Sequence, residues 1–144
     1  MRGFTAIEMM VVVVIVAILT AIAVPNMLAM IRNQRIKTAA FDVFASLTFA
    51  RSEAVKRNSA VTLTPNAGDW VKGWTITDAN GNVLKTENDR KLSAAELTVV
   101  GPATVVFARN GRLGGAAGNF NFSATSTSMT RCINVELSGR PITC

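Results

Sequence analysis

The chain has 144 residues, a formal net charge of +6 and 49% hydrophobic residues. That leaves room for one modest domain plus a membrane segment and excludes a multidomain enzyme. It contains no histidine, so the commonest metal ligand and the commonest general base are both missing.

In chain order, the first feature is a nearly unbroken apolar run from Met9 to Val24. It is close to the ~20 residues that cross a bilayer core as a helix. Only Arg2 precedes it, no small-x-small cleavage site follows, and the helical pattern continues through Pro25. A retained anchor is expected, not a secretory signal peptide. By the positive-inside rule, Arg2 and the terminal amine place the N-terminus in the cytoplasm and the remaining domain outside it. Glu8 stands at the mouth of the run. A carboxylate inside a spanning helix costs roughly 2.5 to 3.5 kcal/mol on insertion scales, so such an acid is a candidate functional residue.

Past Pro25 the pattern becomes amphipathic. Ile36, Ala40, Val43, Leu47, Ala50 and Ala54 step by alternating four and three residues, which keeps them on one helical stripe. Arg32, Arg35, Lys37, Asp42, Arg51, Ser52, Lys56 and Arg57 occupy much of the remaining surface. One helix from Phe4 to Arg57 is predicted, about 80 Å long at 1.5 Å per residue, with Pro25 as a bend or a functional weak point. Half of it must lie beyond the bilayer, its apolar stripe packed on a sheet.

After Asn58 the chain reads as short strands: Ala60–Thr64, Trp70–Thr77, Val83–Thr86, Leu97–Val100, Thr104–Ala108, Phe120–Ser123 and Arg131–Leu137. Asn80-Gly81 predicts a hairpin between the second and third. Gly114–Gly118 and Ser123–Ser128 have the composition of mobile loops. Phe120 and Phe122 alternate as core-facing strand residues do. The two cysteines, Cys132 and Cys144, suit a disulfide in an oxidising compartment. If Leu137-Ser138-Gly139 is a three-residue hairpin loop with Gly139 left-handed, Glu136 faces Arg140 and Cys132 faces Cys144. A disulfide there stabilises by about 3 kcal/mol in the chain-entropy model.

With the acid, the apolar run, Pro25 and the long helix assembled, the chain resembles the type IV pilin and pseudopilin superfamily. The resemblance implies an α+β fold: a long N-terminal helix packed on a C-terminal antiparallel β-sheet domain. It divides the chain into a leader (1–3), a transmembrane and assembly half-helix (4–25), an amphipathic half (26–58) and a β-rich domain (59–144). In that family a prepilin peptidase cuts after the leader glycine and methylates the new N-terminus, which here implies cleavage after Gly3 and N-methylation of Phe4. Glu8 takes the place of the family's acid. The leader, Met1-Arg2-Gly3, is shorter than the family's usual one. More narrowly, Ala50-Arg51-Ser52-Glu53-Ala54-Val55-Lys56-Arg57-Asn58, Val61, Gly73-Trp74 and Ser138-Gly139-Arg140 are similar to the GspH/FimT group of minor pilins and pseudopilins. That group implies a subunit of a type IV pilus or type II secretion pseudopilus, partnered by other minor and major subunits. It would first stand in the inner membrane as a single-pass protein with a periplasmic domain, then join the fibre.

Two readings of Glu8 follow. In a filament its carboxylate pairs with the terminal ammonium of a neighbour's Phe4, and either charge left alone costs several kcal/mol. The plainer reading keeps it in the headgroup layer, favoured by the helix N-terminus. Arg109, Arg112, Arg131 and Arg140 are the only bases after Gly101, against Glu136 alone. They could bind the phosphates of double-stranded DNA, as in DNA-uptake members of the group. Against this, the second arginine of the Gly-Arg-x-Arg motif is Ile142 here, the bases could form a solvated face, and Arg140 could pair with Glu136. Asp78, Asn80 and Asn82 lack the bidentate acid of a calcium loop and read as a turn. Asp69 and Asp89 are not placed together by any motif, so neither an enzyme nor a metal or cofactor is expected.

Overall fold

Residues 4–88, 97–125 and 127–144 are described by the computed structural model of the chain. The predicted helix is present as α1, Ala6–Arg57, 52 residues with Pro25 inside it. Its two halves meet different surroundings. From Ile7 to Ile31 the described large apolar side chains are exposed, whereas Ile36, Ala39, Ala40, Val43, Leu47, Ala50 and Ala54 are buried. The second set is the predicted stripe plus Ala39, and its alanines let the sheets come close to the helix axis. Asn58 ends α1 in the left-handed region at φ 48°, ψ 38°, donating its N–H to the carbonyls of Ala54 and Val55. Asparagine is one of the few side-chain-bearing residues that adopt this region readily.

Eight strands follow among the described residues: β1 Val61–Pro65, β2 Gly73–Asp78, β3 Val83–Asn88, β4 Leu97–Val100, β5 Val105–Phe107, β6 Gly118–Ala124, β7 Thr130–Val135 and β8 Pro141–Thr143. They form two four-stranded antiparallel sheets, ordered β3-β2-β1-β5 and β4-β6-β7-β8. Period-two alternation places Val61, Leu63, Trp74, Ile76, Phe107, Phe120, Phe122, Ile133 and Val135 in one core beneath α1.

The strand predicted at Trp70 starts three residues later. Trp70–Lys72 is a 3₁₀ turn, capped by Asp69, whose carboxylate accepts from the N–H of Val71 at 2.9 Å. The turn lets the Trp70 indole donate to the carbonyl of Pro102 at 2.9 Å and meet Phe120 edge-on, centroids 4.8 Å apart. The strand predicted to reach Leu137 stops at Val135, because the β7–β8 turn begins at Glu136, whose N–H donates to Arg140. The Ser/Thr-rich segment expected as a loop begins as strand, Ser123 and Ala124 closing β6 against β4, and farther on Thr127 Oγ1 donates to Asn33 Oδ1 at 2.7 Å and accepts from the N–H of Met129.

Contacts at two levels of α1 show how the second sheet lies along it. Thr127 meets Asn33, just beyond the apolar half, while the loop at Gly111 lies against Val55. Those two helix positions are about 33 Å apart along the axis at 1.5 Å per residue. β7 and its hairpin therefore run along the helix from the end near the anchor to the far end.

Candidate assembly site and basic surface

Thr5 begins the helix. Its backbone is extended at φ −79°, ψ 151°, and its Oγ1 accepts from the N–H of Glu8 at 3.3 Å. Glu8 is thus the third helical residue, within the turn where a carboxylate is favoured by the helix dipole. The sequence signal for this is the capping-box spacing Thr5-x-x-Glu8, which the reading of Glu8 as a membrane acid left out. Phe4 and Glu8 are both exposed, and among the described residues the Glu8 carboxylate has no ion-pair partner. Gly3 lies outside the described residues, and so does Asp89. Pro25 lies within α1, but its side chain is not among those described.

At the far end of α1, Glu53 is buried, a placement not anticipated from the sequence. Its carboxylate accepts from Arg57 Nε at 2.7 Å and from Lys56 Nζ at 3.5 Å, and Arg57 Nη1 also stands 4.0 Å from Asp78. The i, i+3 and i, i+4 spacing of Glu53-x-x-Lys56-Arg57 was the available signal. Arg57's hydrogen bond holds the Glu53 carboxyl below its ordinary value of 4.5, against the opposing effect of burial. Hydrogen bonds from the side chain and backbone of Asn82 likewise hold Asp78 below 3.8. Both groups bind protons more weakly folded than unfolded, so their stabilisation is full above about pH 4.5 and is lost as pH falls through the lowered values. Denaturant titrations followed by Trp fluorescence should show a level midpoint from neutrality to that pH and a fall below it. Arg57→Gln should reduce the acid dependence, and an unchanged profile would contradict this account.

The predicted arginines separate into two places. Arg109 and Arg112 flank a tight turn in which Ala108 N–H donates to Arg112, Gly111 N–H to Ala108, and Arg112 N–H to Asn110 Oδ1 at 3.1 Å. Arg140 follows Gly139, left-handed at φ 77°, in the β7–β8 turn. The two turns are packed together. Leu113 N–H donates to Leu137, and a Cβ on Gly139 would stand 3.2 Å from Arg112 Cα. A Cβ on Gly111 would lie 3.4 Å from Arg51 Nε, which brings a helix arginine into the same region. Both glycines are buried, while Arg109, Arg112 and Arg140 are exposed. Arg131, by contrast, is the second residue of β7 and lies beside Lys37 and Phe41, at the end near the anchor. The Glu136 carboxylate accepts from Ser138 Oγ at 3.0 Å.

The hairpin register is the expected one. Ile133 faces Thr143, Val135 faces Pro141, and Cys132 and Cys144 are disulfide-bonded. The Asp78 carboxylate accepts from the backbone of Asn80 and Asn82 and from the Asn82 side chain, closing the β2–β3 turn.

Residues 39–139 match the family model described as type II transport protein GspH. Among solved structures the fold is similar to the type IV minor pilin FimU of Pseudomonas aeruginosa PAO1, with 26% identity, 77% of this chain and 89% of that chain covered, and a TM-score of 0.67. It is also similar to the minor pseudopilin EpsH from the type 2 secretion system of Vibrio cholerae, with 12% identity, coverage of 76% and 96%, and a TM-score of 0.59; that likeness is one of fold alone. No curated protein sequence matches the chain.

Proposed function

The chain belongs to the GspH family of minor pilins and pseudopilins, and from that premise we propose that it enters a type IV pilus or type II secretion pseudopilus, or primes its assembly, through Phe4, Glu8 and the apolar half of α1. Its family and structural neighbours are filament subunits, not enzymes. The observation that carries the proposal is the division of α1. One half is covered by the domain that the family model matches, and the other has a mean hydropathy of 2.9 over its apolar window with none of that window buried. That uncovered half serves first as the inner-membrane anchor, with the domain periplasmic, and then as the surface packed against neighbouring pilins. Prepilin peptidase cuts after Gly3 and methylates Phe4. The freed ammonium of one subunit meets Glu8 of the next, the two subunits being displaced along parallel helices by the distance from the terminus to the third helical residue. The test is Glu8→Ala in cells that assemble the filament, with membrane and filament pools quantified separately.

A second reading is favoured by the packed turns at the far end of α1. Arg109, Arg112 and Arg140, with Arg51 beside them, form a basic surface remote from the anchor, suited to the phosphates of double-stranded DNA. Arg131 is outside it. Gel-shift titrations of the full chain in detergent over a salt series should show a log–log slope that falls by about 0.9 for each of Arg109→Gln, Arg112→Gln and Arg140→Gln. Arg131→Gln should leave the slope unchanged. Absence of binding at low salt would sink this reading.

A further inference from the structure

Three turns of the domain share one backbone pattern. In 78–82, 108–112 and 136–140 the N–H of the first residue donates to the carbonyl of the fifth, and the N–H of a glycine donates to the carbonyl of the first. That glycine is left-handed in each, at φ 82°, 74° and 77°. The residue before it is Asn80, Asn110 or Ser138. In two of the turns its side chain is held: Asn110 Oδ1 accepts from the N–H of Arg112 at 3.1 Å, and Ser138 Oγ from that of Arg140 at 3.3 Å. In the first turn Asp78 Oδ1 takes the equivalent N–H, that of Asn82, at 2.9 Å. The Asn80 side chain is left exposed and, among the described residues, without a hydrogen-bond partner. The surroundings differ as well. Gly81 is exposed, and a Cβ on it would meet nothing within 4 Å. Gly111 is buried, a Cβ there would stand 2.8 Å from Val55 Cγ2, and its turn is joined to the β7–β8 hairpin by the bond from Leu113 N–H to Leu137.

Asparagine followed by glycine loses its side-chain amide without an enzyme, because no side chain shields the next backbone nitrogen, and this makes it a thermolabile pair. We propose that Asn80-Gly81 is a site of such spontaneous conversion, and that the packing of the 108–112 turn withholds Asn110-Gly111 from the same reaction. The Gly81 N–H gives its proton to hydroxide and the nitrogen attacks Asn80 Cγ. A C–N bond forms, the bond from Cγ to the amide nitrogen breaks, and ammonia leaves. Water then opens the cyclic imide at either carbonyl, giving aspartate or isoaspartate. The turn must open for the attack, since the Gly81 N–H is engaged with the Asp78 carbonyl and the Asn80 side chain has to swing onto that nitrogen. The first turn stands free and opens by itself, whereas the second opens only by parting from Val55 and from the β7–β8 turn. Conversion at Asn80 adds a carboxylate two residues from Asp78, and isoaspartate also lengthens the main chain inside the turn, displacing Asn82 from Asp78. Conversion at Asn110 would set an acid between Arg109 and Arg112. The packing that orders the basic turn therefore also keeps its charge from changing as the chain ages.

The full chain in mild detergent is warmed in mildly alkaline buffer and digested at intervals. Mass spectrometry of the two asparagine peptides scores the exchange of ammonia for water and the presence of isoaspartate. Asn80 is expected to convert at least about tenfold faster than Asn110, because the second turn must first open against its packing. Equal rates, or a faster Asn110, would overturn the proposal. In denaturant the two sites should converge to within about threefold, since only the fold distinguishes them. A preference that survives unfolding would trace the difference to neighbouring residues and overturn the role given to packing. Gly139→Ala, which forces the two turns apart, should raise the Asn110 rate severalfold and leave the Asn80 rate unchanged. A folded Gly139→Ala chain in which Asn110 stays as slow as in the parent would contradict the proposal.

Discussion

Glu8→Ala is expected to reach the membrane at normal levels and to be depleted from filaments by about a hundredfold or more. Removing one member of a buried charge pair costs roughly 3 to 5 kcal/mol, because the other charge stays behind without compensation. At 1.4 kcal/mol for each factor of ten, that is at least two orders of magnitude in occupancy. The local role of Glu8 predicts far less. A first-turn carboxylate beside a capping threonine contributes only about 0.3 to 1 kcal/mol, which is a fewfold change at most. Glu8→Gln separates the two causes further, since it keeps the shape and an acceptor but leaves the neighbour's ammonium uncompensated. Immunoblots of sheared filaments, normalised to the membrane pool, measure the ratio. A loss of only a fewfold in Glu8→Ala would assign the residue to helix capping and remove the charge pair from the assembly mechanism.

The parts of this fold that were legible in the sequence are those governed by local spacing. The stripe from Ile36 to Ala54 follows from the 3.6-residue period, and the Cys132–Cys144 pairing from a turn whose glycine needs positive φ. What was not legible depends on partners far away in sequence. Trp70 and Val71 look like the start of a strand, yet Trp70 finds its hydrogen-bond acceptor 32 residues later, at Pro102. Pairing β1 with β5, and β4 with β6, divides the strands into two sheets in a way that no turn residue announces. Arg131 is nearer to Arg140 in sequence than either is to Arg109, but β7 lies along α1 and carries Arg131 to the opposite end of the domain. Glu53 was hidden for a different reason: its charge disguises a side chain that lies on the buried stripe and is kept there by Arg57.

Gly139→Ala is expected to destabilise the domain by about 3 kcal/mol or more, while Gly81→Ala, at nearly the same backbone angle, costs only about 1 to 2. Both glycines are left-handed, at φ 77° and 82°, so the conformational penalty of a side chain is shared. Their surroundings differ. A Cβ on Gly81 would meet nothing within 4 Å, whereas one on Gly139 would run into the Gly111 carbonyl, its carbon 2.9 Å away, and come within 3.2 Å of Arg112 Cα. Those atoms are backbone in a turn closed by three hydrogen bonds, so the clash is relieved only by separating the two turns. The difference between the two variants, read from denaturant midpoints at unchanged m-value, therefore measures the packing of hairpin on turn. Equal losses would show that this packing contributes nothing. The same substitution bears on DNA: Gly139→Ala removes no positive charge, yet it moves Arg140 away from Arg112. If the far end of α1 binds duplex phosphates as a preformed surface, affinity falls in Gly139→Ala and holds in Gly81→Ala; if the arginines act only as diffuse charge, both variants bind like the parent chain.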